Sequence, residues 1–327
     1  MDTLAAMPGW RFERLCLAPS PEPRRAVLSL ARTVLEAPLR ARQHDVLHVH
    51  GEVAAGLLLP SLATRPSVVT LHGLHLLRRL DGRRRELARA NLKAIVRGAS
   101  TTICVSEAEA EEVAAAVGPQ LAGRTTVVPN GVDAAPAPDA AERAEARAAL
   151  GLEAGAVAAA WVGSLDERKD PLLACRAVAA AVRTDERLVL LVAGDGPLRP
   201  AVEELGDAIR VLGQLGSVRP VLAAADLFVL TSRREGLPYA LLEAMAAELP
   251  PVAIAGPGVD EAVGDAGILV DGAARLERAL VELAASDGRR RELGARAAER
   301  VRSHFRADVM RERTAAIYEA AREARRR

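Results

Sequence analysis

Short runs of branched aliphatic residues alternate along the chain with longer Ala-, Leu-, Arg- and Glu-rich stretches of helical period. A strand covered on both faces reads as a continuous apolar run, whereas the helix returning over the sheet keeps only an apolar stripe. The alternation therefore predicts parallel sheets with crossover helices. Strands are expected at Arg14–Leu17, Asp45–His50, Ser67–Leu71, Thr101–Val105 and Thr125–Val128. A second group follows at Ala156–Val162, Leu188–Ala193, Ile209–Leu212, Leu227–Leu230, Val252–Ala255 and Gly267–Val270.

Between the groups, Pro129-Asn-Gly131 opens a stretch that runs through Ala134-Ala-Pro-Ala-Pro138. Proline and glycine at that density interrupt regular structure. The expected organisation is a first domain over 1–140, a second over 151–305, and a closing amphipathic helix over 306–327. Val309, Ile317 and Tyr318 would lie on that helix's apolar side, packed back on the first domain. A length of 327 residues suits two domains.

Charge nearly cancels, 44 basic against 43 acidic residues, and aromatics make up only 2%. Neither a whole-chain basic field nor stacking platforms are available, which argues against a nucleic-acid binder. The charge is uneven: 17 basic and 13 acidic residues precede Ala134, and 27 and 30 follow Asp133. Cys16, Cys104 and Cys175 have no CxxC spacing, so neither a disulfide framework nor a zinc knuckle is expected. No apolar run reaches the roughly 18 residues of a membrane span. A reduced, cytoplasmic setting is expected.

In open parallel sheets ligands bind beyond the carboxyl ends of strands, so residues just after strands carry the chemistry. After Leu227–Leu230 comes Thr231-Ser-Arg-Arg-Glu235-Gly236-Leu237-Pro238-Tyr-Ala-Leu241-Leu-Glu243-Ala-Met245. Pro238 suits a first helical turn, and the amides around Leu237 to Leu241 would offer a helix N-terminus to a diphosphate. Glu235 then falls in the loop and Glu243 within the helix, among buried neighbours. The plain alternative is a capping Glu and a solvated helical Glu. After Ala156–Val162 comes Gly163-Ser164-Leu-Asp-Glu-Arg168-Lys169-Asp-Pro171. Gly163 lets a ligand approach the backbone, and Arg168 and Lys169 supply cations. Only Lys93 and Lys169 are lysines, which singles out the second. His48 and His50 alternate on one strand face, but no further metal ligands follow at recognisable spacing. Gly194-Asp-Gly196 lacks the third glycine of a dinucleotide fingerprint.

Together these blocks resemble the family 4 retaining glycosyltransferases, nucleotide-sugar enzymes of the GT-B fold. The likeness rests on Glu235-Gly-Leu-Pro-x-x-Leu-Leu-Glu243-Ala-Met-Ala and on ordered companions: Asp45-Val-Leu-His-Val-His-Gly51, Val69-Thr-Leu-His72-Gly73, Cys104-Val-Ser106, Val128-Pro-Asn-Gly-Val-Asp133, Val162-Gly-Ser-Leu with Arg168-Lys169, and Val192-Ala-Gly-Asp-Gly-Pro197. The resemblance implies two Rossmann-like doubly wound domains facing a central cleft. It gives Glu235, Lys169 and His72 catalytic roles: Glu235 and His72 near the donor sugar, Lys169 on the leaving diphosphate. It places Glu243 on the ribose hydroxyls and Gly163, Ser164, Arg168, Gly236, Leu237, Pro238 and Leu241 around the donor. Ser164 stands where such enzymes often carry an arginine, whose charge Arg168 would partly supply. The implied donor is a UDP-, GDP- or ADP-sugar, with no cofactor and no obligatory metal, and the acceptor is a sugar, lipid-linked or small-molecule hydroxyl.

By the same comparison the first domain lacks the leading strand and Gly-rich loop. That expectation keeps a second reading open, a catalytically inactive nucleotide-sugar-binding accessory subunit. Residues Leu76–Arg97 carry eight basic and two acidic side chains. They read as a solvated face or as a contact with an anionic membrane surface, which would place the protein peripherally at the inner membrane face.

Overall fold

The computed structural model describes residues 4, 7–14, 34–133 and 137–324. Apart from Arg14, the strand expected at Arg14–Leu17 lies outside these residues. The strands are β1 (Leu47–His50), β2 (Ser67–Thr70), β3 (Thr101–Cys104), β4 (Thr125–Val127), β5 (Val157–Val162), β6 (Leu188–Ala193), β7 (Ile209–Gly213), β8 (Leu227–Leu230), β9 (Pro251–Ile254) and β10 (Ile268–Val270). Among the helices are α1 (Glu52–Leu57), α2 (Gly82–Gly98), α3 (Glu107–Val117), α4 (Ala140–Ala149), α5 (Pro171–Ala181), α6 (Tyr239–Ala246), α7 (Pro257–Val263) and α8 (Ala307–Ala324).

The chain forms two compact units, 1–130 with 307–327, and 131–306. The division falls at Asn130/Gly131, earlier than the boundary expected at 140. The reason lies in two anchors. Val132 donates its N–H to the Phe305 carbonyl at 2.9 Å. On α4, Arg143 and Arg147 clasp Asp226 at 2.5 and 3.1 Å and bond the carbonyls of Ala224, Ala225 and Ala156. The linker helix thus belongs with the second sheet.

In the first unit, β1 to β4 form a parallel sheet in chain order. One face packs against helices through Val49, Val69, Leu71, Leu92, Ile95 and Val113. The other receives α8, whose Ala307, Met310, Thr314, Tyr318 and Ala321 recur at three- and four-residue spacing and are buried. Met310 and Tyr318 meet Met7, Val68, Ile103 and Val128, and Trp10 stands edge-on to Tyr318 with centroids 4.9 Å apart. Each such large side chain removed from water contributes about 1.5–3 kcal/mol. Tyr318 lies in this stripe as expected and Ile317 packs half-buried against the same cluster, while Val309 is half-buried beside it.

The second sheet runs β10-β9-β8-β5-β6-β7, all parallel. From β5 the chain winds outward to β6 and β7, returns to β8 beside β5, and continues outward to β9 and β10. β5 is Val-Ala-Ala-Ala-Trp-Val, small enough for helices to close on both faces, and all but Val162 are buried. Its core includes Trp161, Leu165, Leu190, Val192, Val229, Leu276 and Leu280.

Candidate active site

The crossovers leaving β5 and β8 run in opposite directions, so the ends of these neighbours form a topological switch point, where doubly wound sheets hold their ligands. The segments that leave them are 163–170 and 231–238, the two stretches singled out in the sequence.

Asp166 organises the first segment. Its carboxylate accepts the Ser164 hydroxyl at 2.7 Å and the N–H groups of Arg168 and Lys169 at 3.0 and 3.1 Å. Against the cost of partial burial, these bonds and the Arg168 charge hold its pKa below the usual carboxylate range. The Arg168 guanidinium stands 3.4 Å from Ser164 Oγ and 3.5 Å from Asp166, at an exposed position. Asp170 takes a left-handed conformation (φ 47°), caps α5 through the Leu173 N–H and pairs with Arg233 at 2.9 Å. Pro171 then starts α5, where its missing donor costs nothing.

A buried hydroxyl ties the two segments together. Trp161 Nε1–H donates to Thr231 Oγ1 at 3.0 Å, and Thr231 donates to the Lys169 carbonyl at 3.0 Å. The backbone of Lys169 is thereby fixed, and its Nζ lies 2.5 Å from Glu235 Oε1.

Bare α-carbons let the surrounding loops mesh. A Cβ on Gly194 would stand 1.8 Å from the Gly163 carbonyl oxygen, and one on Gly258 1.6 Å from the Gly236 carbonyl oxygen. The pair Gly194 and Gly196, a failed fingerprint in sequence, is thus a packing device for the 163–165 turn. Gly258, at the start of α7, backs the loop that presents Glu235.

Pro238 occupies the N-cap of α6 rather than its first turn, and no side chain caps that end. Leu237, Leu241, Leu242, Ala244 and Met245 are buried, as the motif suggested, but Glu243 is exposed on the opposite face. Protein beneath its carboxyl still excludes enough water to push its pKa up. Burial and the Glu243 charge push the Tyr239 phenol up to about 12.

In the first unit, His72 follows β2 in a left-handed conformation (φ 65°). Its Nε2 lies 2.8 Å from His50 Nδ1, so one ring donates and the other accepts, and the rings stack with centroids 5.2 Å apart. His48 lies tilted against His50 with centroids 4.1 Å apart, its Nδ1 2.5 Å from the Tyr318 hydroxyl and its Nε2 2.8 Å from Thr70 Oγ1. Burial above all lowers His72 to about 4 and His50 to about 3, the latter also through the neighbouring His72. Among the described residues no group of three or more His, Cys, Asp or Glu side chains is placed to hold a metal ion.

The structure therefore brings Lys169 to Glu235 and Arg168 to Ser164, while Glu243 lies exposed on α6. Sequence reasoning passed over Asp166, Thr231 and Gly258 as functional supports. It also passed over Glu109, a buried carboxylate on α3.

The β10-β9-β8-β5-β6-β7 order, with a cation, a carboxylate and a helix start at its switch point, defines a doubly wound α/β unit. Residues 8–135 match the profile of Glycosyltransferase Family 4, and residues 157–286 that of Glycosyl transferases group 1. D-inositol 3-phosphate glycosyltransferase of Kineococcus radiotolerans is 31% identical over 81% of this chain and 69% of its own. Its counterpart from Actinosynnema mirum is 32% identical over 72% of this chain, and the match spans 63% of that relative's length. The solved structure of Anabaena HepE in complex with UDP-glucose has a TM-score of 0.75 at 20% identity, covering 91% of this chain and 84% of HepE. The chain belongs to the family 4 glycosyltransferases, and its two α/β units have the GT-B fold.

Proposed function

We propose that the chain transfers a glycosyl group from a nucleotide-diphosphate sugar, with a uridine nucleotide the first to test, to an acceptor hydroxyl with retention of anomeric configuration. The observation that carries this is the Lys169–Glu235 pair at the switch point, beside the start of α6. A diphosphate lying at that helix start would meet its amides and the Lys169 ammonium, which stabilises the charge that grows as the leaving group departs. The bond between anomeric carbon and phosphate oxygen breaks, the acceptor oxygen bonds to that carbon, and the acceptor proton passes to the departing phosphate. Glu235 and His72 serve the sugar in this reading, and Glu243 the ribose hydroxyls. HepE, similar in fold, was solved with UDP-glucose, and that supports the uridine choice.

The test is incubation with UDP-, GDP- and ADP-sugars, following nucleotide release and reading the product's anomeric signal by NMR. Release from one donor with the donor's configuration retained supports the reading. Tight nucleotide binding with no turnover across an acceptor panel would instead favour an accessory binding subunit.

We also infer that the first unit meets anionic membranes through α2. Arg83, Arg84 and Arg85 are exposed, Leu87 beside them is 71% exposed, and Val53 on the neighbouring α1 is 57% exposed. Arg78 is not part of this face, because Glu112 binds it in a fork. Exposed basic and apolar side chains close together along α2 and α1 suit an acidic lipid interface. Among the described residues no helix is long and apolar enough to cross a membrane. Replacing the three arginines by glutamate should abolish sedimentation with phosphatidylglycerol vesicles; unchanged sedimentation removes the inference.

A further inference from the structure

His72 is held in an unfavourable conformation. A left-handed conformation is strained for a residue with a Cβ, and the strain survives only where surrounding bonds over-determine it. Gly73 follows, also at positive φ (102°). Something outside the turn must hold it.

The holding group is a carboxylate from another element. Glu109 on α3 is fully buried; its Oε1 accepts the Gly73 N–H, and its Oε2 accepts the Val105 N–H at 2.7 Å. One side chain thus joins the turn after β2 to the turn after β3. Glu109 is itself fixed, since its own N–H donates to the capping hydroxyl of Ser106 at 3.1 Å. Two further carboxylates hold the chain beyond the turn: Glu52 accepts the Leu76 N–H at 2.5 Å and Glu112 binds Arg78.

This arrangement separates Glu109 from a general base. Burial pushes its carboxyl up to about 7, despite the two amide bonds. A group titrating there would suit proton transfer, but each oxygen already accepts a main-chain N–H, so the side chain is committed to holding the turn.

We propose that Glu109 is a positioning residue for the transfer reaction: its carboxylate fixes the His72–Gly73 turn and so sets the imidazole of His72 against His50. The proposal rests on the reading of His72 as a group that serves the donor sugar. Its consequence is a residue remote from substrate whose loss alters turnover more than binding, because the nucleotide is assigned to the second unit.

The test uses the full chain with Glu109→Asp, which keeps the buried charge but is one methylene too short to span both amides. Glu109→Gln, which keeps the length and one acceptor, replaces it if the aspartate variant does not fold. His72→Ala runs in parallel. The expected result is a kcat lowered about 10-fold or more, with UDP affinity within about twofold, faster hydrogen exchange at the Gly73 amide and moved 15N shifts of the His72 ring. A folded variant with faster Gly73 exchange and moved His72 shifts but wild-type kcat overturns the positioning role. So does one in which Gly73 exchange and the His72 shifts stay as in the wild type. Unchanged kcat in His72→Ala instead strikes the functional reading of His72, and the ring shifts report on Glu109 whichever way that falls.

Discussion

Lys169 Nζ lies 2.5 Å from Glu235 Oε1, and the two side chains are only 18% and 9% exposed. The cation assigned to the leaving group is paired with the carboxylate assigned to the sugar. Removing one partner of a poorly hydrated pair leaves the other uncompensated, at about 3 kcal/mol. Lys169→Met should therefore lower Tm as well as cut turnover by about 100-fold or more. Addition of UDP should raise the Tm of wild type more than that of the variant. Equal shifts in differential scanning calorimetry would show that Lys169 does not meet the diphosphate.

Glu243 makes a different prediction, because it is exposed on α6 rather than held in a buried ion pair. Glu243→Ala should leave Tm nearly unchanged and weaken UDP binding by about 10- to 100-fold, the value of charged hydrogen bonds to two hydroxyls. Isothermal titration calorimetry with UDP and with inorganic diphosphate checks this. Equal losses for both ligands would take Glu243 away from the ribose.

Gly258→Ala inserts a methyl group 1.6 Å from the Gly236 carbonyl oxygen, which is main chain and cannot swing aside. The loop bearing Glu235 must shift. We expect a loss of about 2 kcal/mol or more in urea unfolding, together with weaker donor binding. Gly288→Ala, where an added Cβ meets nothing within 4 Å, is the control. Equal stability of the two variants would refute the close approach.

The stacked histidines give a pH dependence of definite sign. Their folded pKa values, about 3 for His50 and about 4 for His72, lie below the ordinary value near 6.5. Between those limits the unfolded chain binds more protons, so their contribution to stability is complete above about 6.5 and is lost as pH falls toward 4. Glu109, raised to about 7, acts oppositely, favouring the fold more as pH falls from 7 toward its ordinary value. Urea midpoints of wild type and His50→Gln/His72→Gln at pH 7 and 5 should differ, with the smaller acid loss in the double variant. An equal loss in both would show that these rings are not buried neutral.

Much of the fold was legible because its strands are covered on both faces. Leu188–Ala193 and Leu227–Leu230 stand where the apolar runs place them, and both segments of the switch point were visible as motifs. Strand order was not legible, since nothing local in β5 says that β8 will lie beside it. Glu109 was hidden for another reason: Glu107-Ala-Glu109-Ala-Glu-Glu112 reads as a solvated charged face, yet one of these carboxylates is buried. The available signal was Ser106 three residues before Glu109, the spacing of a reciprocal helix cap. The left-handed turn at His72 has no local signature, because it is imposed by that distant carboxylate.

The meshing of Gly163 with Gly194, and of Gly236 with Gly258, also limits how these loops can be altered in evolution. Loops that touch through carbonyl oxygens and bare α-carbons cannot lengthen one at a time, as an inserted residue in either would force the other out of place. A change in what these loops present must come by exchanging side chains on a fixed frame. Directed evolution of this protein should then succeed with substitution libraries over 164–168 and 232–235 and fail with insertion libraries over the same residues.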